Sequence, residues 1–157
     1  ALTPHPANES FQIAMRALQR GDMQAALEHF QQAQRTDLNS ADILYAMGQV
    51  YAGMQKYNEA LDYYNQAIDA NPNFAPAYVG RARVQAARQP RSDVRSDLET
   101  AIDKDANYVE ARLALMDILL KDGDLEGAQQ HDRDQTSCPM FRSHGRHQPF
   151  PHRFQSM

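Results

Sequence analysis

An all-α architecture of stacked antiparallel helix pairs is the fold class this sequence predicts, and three observations carry it. Apolar residues recur at helical rather than alternating spacing, small residues recur at a fixed interval of 34, and turn-forming residues interrupt the helical pattern at matching points of each interval. Each interval is too short to bury its own apolar face, so the pairs must stack into one continuous core.

The interval is read from Gly48, Tyr51, Ala60, Tyr64, Ala67 and Pro72. The residues 34 positions upstream are Ala14, Ala17, Ala26, Phe30, Ala33 and Leu38. Those 34 downstream are Ala82, Gln85, Val94, Leu98, Ala101 and Ala106. Small side chains answer small ones and large apolar ones answer each other without a gap. A fourth copy begins with Met116, Leu119 and Ala128, then fails where Asp132 and Gln135 stand in place of a large apolar residue and an Ala. The units expected are 7–40, 41–74, 75–108 and a partial 109–130, with residues 1–6 as an extension and 131–157 as an irregular tail.

Within the second unit, Leu44, Met47, Gly48 and Tyr51 share one helical face, and Ala60, Leu61, Tyr64, Ala67 and Ile68 share another. A break falls at Gln55-Lys56-Tyr57, Asn58 is placed to cap the second helix, and Asn71-Pro72-Asn73 ends it. Gly21-Asp22 and Gly123-Asp124 mark the same turn in the first and fourth units; Gln89-Pro90 serves in the third, with Ser92 as the expected cap. Antiparallel helices approach closely only where side chains are small, so Gly48 is expected opposite Ala60, with Tyr51, Tyr57 and Tyr64 filling the space around the crossing.

The set Leu44, Met47, Gly48, Tyr51, Ala60, Tyr64, Ala67 and Pro72 resembles the tetratricopeptide repeat, a helix-turn-helix unit of 34 residues, over about residues 7 to 130. Departures from the pattern are Ser10 and Arg112 in place of a large residue, Arg81 at a normally aliphatic position, and Leu38 and Ala106 in place of the closing proline. The resemblance implies a right-handed α-solenoid whose concave face, lined by first helices, holds a peptide or helix of a partner protein. It places on that face Phe11, Met15 and Leu18, then Tyr45, Gln49 and Ala52, then Val79, Arg83 and Ala86, then Leu113, Asp117 and Leu120. Some members clamp a partner's C-terminal carboxylate with Lys and Asn. The corresponding positions here hold Phe11, Met15, Tyr45, Ala46, Pro76 and Gly80, so recognition of heat-shock chaperone tails is not expected.

Function classes are narrowed by what is missing. A phosphate-cradling glycine loop, a nucleophile elbow and a His, Cys and carboxylate set on one helix face are absent from residues 1 to 128, and His29 stands alone; a non-enzyme is expected. Net charge is -4 from 16 basic and 20 acidic side chains, which argues against a nucleic-acid binder. No stretch approaches the roughly 18 consecutive apolar residues of a membrane span. Arg81, Arg83, Arg88, Arg91 and Arg95 crowd the third unit, but Asp93, Asp97, Glu99, Asp103 and Asp105 stand beside them, and mutual neutralisation is the plainer expectation.

Composition changes abruptly near residue 129. Residues 1–128 contain 45 Ala, Leu, Ile and Val, whereas residues 129–157 contain none and hold four of the six His. Too few aliphatic residues remain to offset the entropy of ordering, so a flexible tail is expected. Cys138, His144, His147 and His152 match no zinc-module spacing, and Pro139, Pro149 and Pro151 interrupt any helix that would present them; no metal or cofactor is expected. The change inside an expected helix also raises a shift of reading frame, which comparison of intact mass with the genomic sequence would test. The fourth unit then lacks a polar closing helix, which makes a homo-oligomer through that unit a further expectation.

The single Cys suits a reducing compartment. The cytoplasm is the favoured location, with a periplasm open if Ala1 is a mature N-terminus. The expected role is an adaptor or scaffold binding a partner's peptide; the alternatives are a regulatory or targeting segment of a larger, enzymatic polypeptide and an envelope assembly factor.

Overall fold

The computed structural model describes residues 6–37, 39–89, 93–121 and 123. Seven helices follow one another: α1 (Pro6–Gln19), α2 (Met23–Thr36), α3 (Ala41–Gly53), α4 (Tyr57–Ala70), α5 (Ala75–Arg88), α6 (Arg95–Lys104) and α7 (Val109–Lys121). The 34-residue interval is visible in their ends: α3, α5 and α7 begin at 41, 75 and 109, while α2, α4 and α6 end at 36, 70 and 104. Leu38, Ser92, the second helix of the fourth unit and the tail with Cys138, His144, His147 and His152 fall outside the described residues.

Each helix packs on the next, and the first helices α1, α3 and α5 also touch one another, so they form a layer with the second helices behind. The core runs through the unit boundaries. Ala14, Ala26, Phe30 and Ala33 of the first unit bury together with Ile43, Ala46, Met47 and Val50 of the second. Val79, Leu98 and Ala101 of the third likewise bury with Ala111, Leu115 and Leu119 of α7.

What Gly48 meets most closely is the ring of Tyr64, one helical turn on from the Ala60 that the spacing suggested. A Cβ added at Gly48 would lie 2.6 Å from that ring, and one added at Gly80 of the next unit would lie 2.7 Å from it. Tyr64 is therefore held between two glycine surfaces on α3 and α5, at 3% exposure. The one-unit reading missed this because the second glycine, 32 residues on, belongs to the neighbouring unit.

The turns inside the units also depart from expectation in an instructive way. At the interval positions 21, 55 and 123 the backbone is left-handed: Gly21 at φ 80°, Gln55 at φ 60° and Gly123 at φ 77°. The fourth such position, Gln89, is extended at φ -137°. Pro90 follows it in sequence, and a residue before proline is pushed away from helical backbone towards extended. The helix after this turn, α6, has 10 residues against 14 in α2 and α4.

Capping follows the same register. Asp22 is the N-cap of α2 and accepts a hydrogen bond from the Ala25 amide at 3.1 Å. The equivalent residue in the second unit is Lys56, which makes no side-chain cap bond; Asn58, expected to cap α4, lies inside the helix instead. After α4, the Asn71 side chain accepts from the Asn73 amide at 3.1 Å, and after α6 Asp105 does the same for Asn107 at 2.9 Å.

Candidate partner-binding face

Arg81 occupies a position that the repeat pattern reserves for an aliphatic residue, and the structure shows what replaces burial there. Its guanidinium donates from Nε to Asp97 Oδ2 at 2.8 Å and from Nη2 to Asp97 Oδ1 at 2.6 Å, while Nη1 donates to Asn65 at 2.8 Å. The group also lies 5.6 Å from the centre of the Tyr78 ring. One side chain on α5 thus ties α4 to α6. The hydrogen bonds to Asp97 raise the Arg81 pKa further, against the opposing effect of burial.

The layer of first helices carries a separate polar cluster. Gln49 donates to the Tyr45 hydroxyl at 2.9 Å, Tyr108 donates to Glu110 Oε2 at 2.7 Å, and Arg83 forms an ion pair with Glu110. Tyr45 packs against Tyr64 with ring centres 5.7 Å apart and edge-on against Phe74 at 5.6 Å. Burial pushes the Tyr45 phenol above its ordinary range, and the charge of Glu110 adds to it, while Arg83 and the bonds with Gln49 and Tyr108 pull the other way. Burial also raises Tyr108, helped by the hydrogen bond to Glu110, so both hydroxyls stay protonated. The cluster draws on α3, α5 and α7, and spans three units.

Eight of the twelve residues that the repeat pattern assigns to this face, two from each unit, show how the pattern fares. Tyr45, Gln49 and Arg83 come together in the cluster, with Arg83 side-chain exposure at 60%. Phe11 and Met15 are half-buried against the core shared by the first two units, with Phe11 edge-on to Phe30 at 5.6 Å. Val79 is 2% exposed and lies in the core between the third and fourth units, so a partner lying on this face would not reach its side chain. Leu113 is 50% exposed on α7, where Asp117 pairs with Lys121 at 2.6 Å. Sequence reasoning missed Tyr108 and Glu110. The first lies in the turn before α7 and the second in that helix's opening turn, so no helical face announced either.

A stacked array of helix pairs with a half-exposed polar cluster on its layer of first helices is the class of molecule these observations define. Residues 41–74 match the model of the tetratricopeptide repeat, and the chain folds as an array of such repeats. No curated protein sequence matches the chain. Among solved structures, the first tetratricopeptide domain of Spaghetti (RPAP3) bound to an HSP90 peptide is similar at TM-score 0.68 and 19% identity, over 74% of this chain and 94% of that one. MamA is similar at TM-score 0.69 and 18% identity, over 83% of this chain and 77% of that one. The O-GlcNAc transferase of Thermobaculum terrenum is similar at TM-score 0.67 and 18% identity, over 73% of this chain but only 22% of that one.

Proposed function

We propose that this chain is a non-enzymatic protein-interaction module that holds a peptide or helix of a partner against its layer of first helices. The observation that carries the reading is the cluster of Tyr45, Gln49, Arg83, Tyr108 and Glu110, whose polar atoms come from three units and remain partly open to solvent. Aromatic and Arg side chains are the types that dominate binding energy at interfaces, and here they surround one patch. The HSP90 peptide bound by the Spaghetti domain supports a peptide as the class of ligand. It does not extend to chaperone tails, because the positions of the carboxylate clamp hold Phe11, Met15, Tyr45, Ala46, Pro76 and Gly80.

The test is selection of binders from a displayed random-peptide library, followed by affinity measurement on Arg83→Ala and Tyr45→Ala. Losses of about fivefold or more, which correspond to ~1 kcal/mol, are expected with the helical spectrum unchanged. Selected peptides that bind both variants as well as the parent would place recognition elsewhere.

A second reading, a regulatory or targeting segment within a larger enzyme, is favoured by one finding. The fold of this chain corresponds to 22% of the O-GlcNAc transferase it resembles, so an array of this kind forms part of a larger enzyme there.

A further inference from the structure

Gln49 and Arg83 are equivalent residues of adjacent units, 34 positions apart, on the first helices α3 and α5, which touch. They are therefore neighbours on the candidate face, with Tyr45 of α3 and Glu110 of α7 beside them. The phenol of Tyr45 is raised by burial and by the charge of Glu110, and lowered by Arg83 and by the bond with Gln49, so all three groups lie about one hydroxyl.

The hydrogen bonds inside the cluster leave two groups open. Gln49 donates from Nε2 to the Tyr45 hydroxyl, which orients its amide and leaves Oε1 without a donor among the described residues. That oxygen is reachable from solvent, since among the described residues no sealed side-chain oxygen or nitrogen lacks a partner. Arg83 meets Glu110 through Nη1, and no described residue engages its Nε or Nη2. Glu110 is engaged at both oxygens, with Oε1 on Arg83 and Oε2 accepting from Tyr108. What remains is one neutral acceptor beside a fork of donors.

Charge narrows what fits there. Arg83 and Glu110 cancel, so a carboxylate drawn to Arg83 meets Glu110 next to it, and an ammonium drawn to the Gln49 oxygen meets Arg83. An apolar group would cover both open groups without a partner, which costs more than the contact returns. A primary carboxamide carries an acceptor and two donors in one plane and no charge.

We propose that the partner peptide presents an asparagine or glutamine side chain to this cluster, its carbonyl accepting from Arg83 and its NH2 donating to Gln49 Oε1. The inference rests on the peptide-binding reading above and adds to it the side chain that is read.

Peptides selected on the wild-type chain and dependent on Tyr45 and Arg83 are the probe. They are expected to share an Asn or Gln, and its replacement by Asp, Lys or Leu should weaken binding about tenfold in each case. Because these changes lie in the peptide, the fold of the chain is untouched. Affinity should vary by less than about twofold between low and moderate salt. Glu110→Gln removes the counter-charge of Arg83 and should reverse the order, so that the Asp peptide binds better than the Asn one; Arg83→Gln should favour the Lys peptide. Selected peptides that need Tyr45 and Arg83 but share no carboxamide, or that prefer a charged residue there, overturn the proposal and leave the peptide-binding reading standing. So does a Glu110→Gln chain that keeps the wild-type order. Peptides that ignore both Tyr45 and Arg83 overturn the two together.

Discussion

Tyr64 lies between two helices that approach its ring because each offers a glycine. Helix propensity alone would reward Gly48→Ala or Gly80→Ala by up to ~1 kcal/mol. At 2.6 and 2.7 Å from a ring that is itself 3% exposed, the added methyl has no space. Overpacking of this kind costs about 1–3 kcal/mol, so each substitution is expected to lower the melting temperature, as thermal unfolding by circular dichroism would show. Tyr64→Leu combined with Gly48→Ala should lose less than the sum of the two single changes, because removing the ring removes the clash. Arg81 is the other residue whose surroundings decide its effect. Its side chain is 25% exposed and that of Asp97 is 14%. Removing either partner strands a largely buried charge, and a loss of ~2 kcal/mol is expected for Arg81→Ala or Asp97→Ala. A double-mutant cycle in which the two losses simply add would show that the pair is not coupled.

At the scale of elements, the turns follow the register more closely than the residues that occupy them. Gln55 adopts φ 60° where the first and fourth units use Gly21 and Gly123. A non-glycine residue pays roughly 1–2 kcal/mol in this region, so Gln55→Gly is expected to stabilise the chain, partly offset by the entropy of a more flexible unfolded state. Lys56→Asp would place a capping carboxylate where Asp22 stands in the first unit, and a gain of ~1 kcal/mol is expected. Chemical denaturation midpoints that fail to rise for either variant would show that the turn relaxes by another route. The type and number of the described helices were legible from the 34-residue interval, since it records where small and large side chains must alternate. The cap of α4 was not, because Asn58 is a good capping residue placed two positions inside the helix. Nor was the shortened α6, whose start at Arg95 no capping residue in the sequence announces, since its N-cap is Val94.

Across the whole molecule, tyrosine couples stability to alkaline pH. Tyr45, Tyr63, Tyr64 and Tyr108 all have phenols raised above the ordinary value of 10.0, with burial the largest cause in each. The folded state therefore holds protons that the unfolded chain releases. Stability is full below pH 10 and falls as pH rises from there towards the folded-state values. Melting temperatures measured from pH 9 to 11 should decline beyond about pH 10, and Tyr64→Phe should lessen the slope; an unchanged slope would mean that Tyr64 titrates normally. The candidate face was legible only in part. Tyr45, Gln49 and Arg83 share one helical register, but their polar partners come from the turn before α7 and that helix's first residues, where no periodicity applies. Val79 shares the register too and is buried, because whether such a position is open depends on the unit that follows it.

Stability in a linear array depends on how strongly each unit is coupled to its neighbours, and such arrays melt piecemeal where that coupling is weak. The short α6, with 10 residues against 14 in α2 and α4, makes the third unit the one with the least helix of its own to hold it. Arg81 bridges α4 and α6, so the second and third units are expected to unfold together. An arginine that departs from the repeat pattern is thereby expected to favour a single cooperative transition over local fraying.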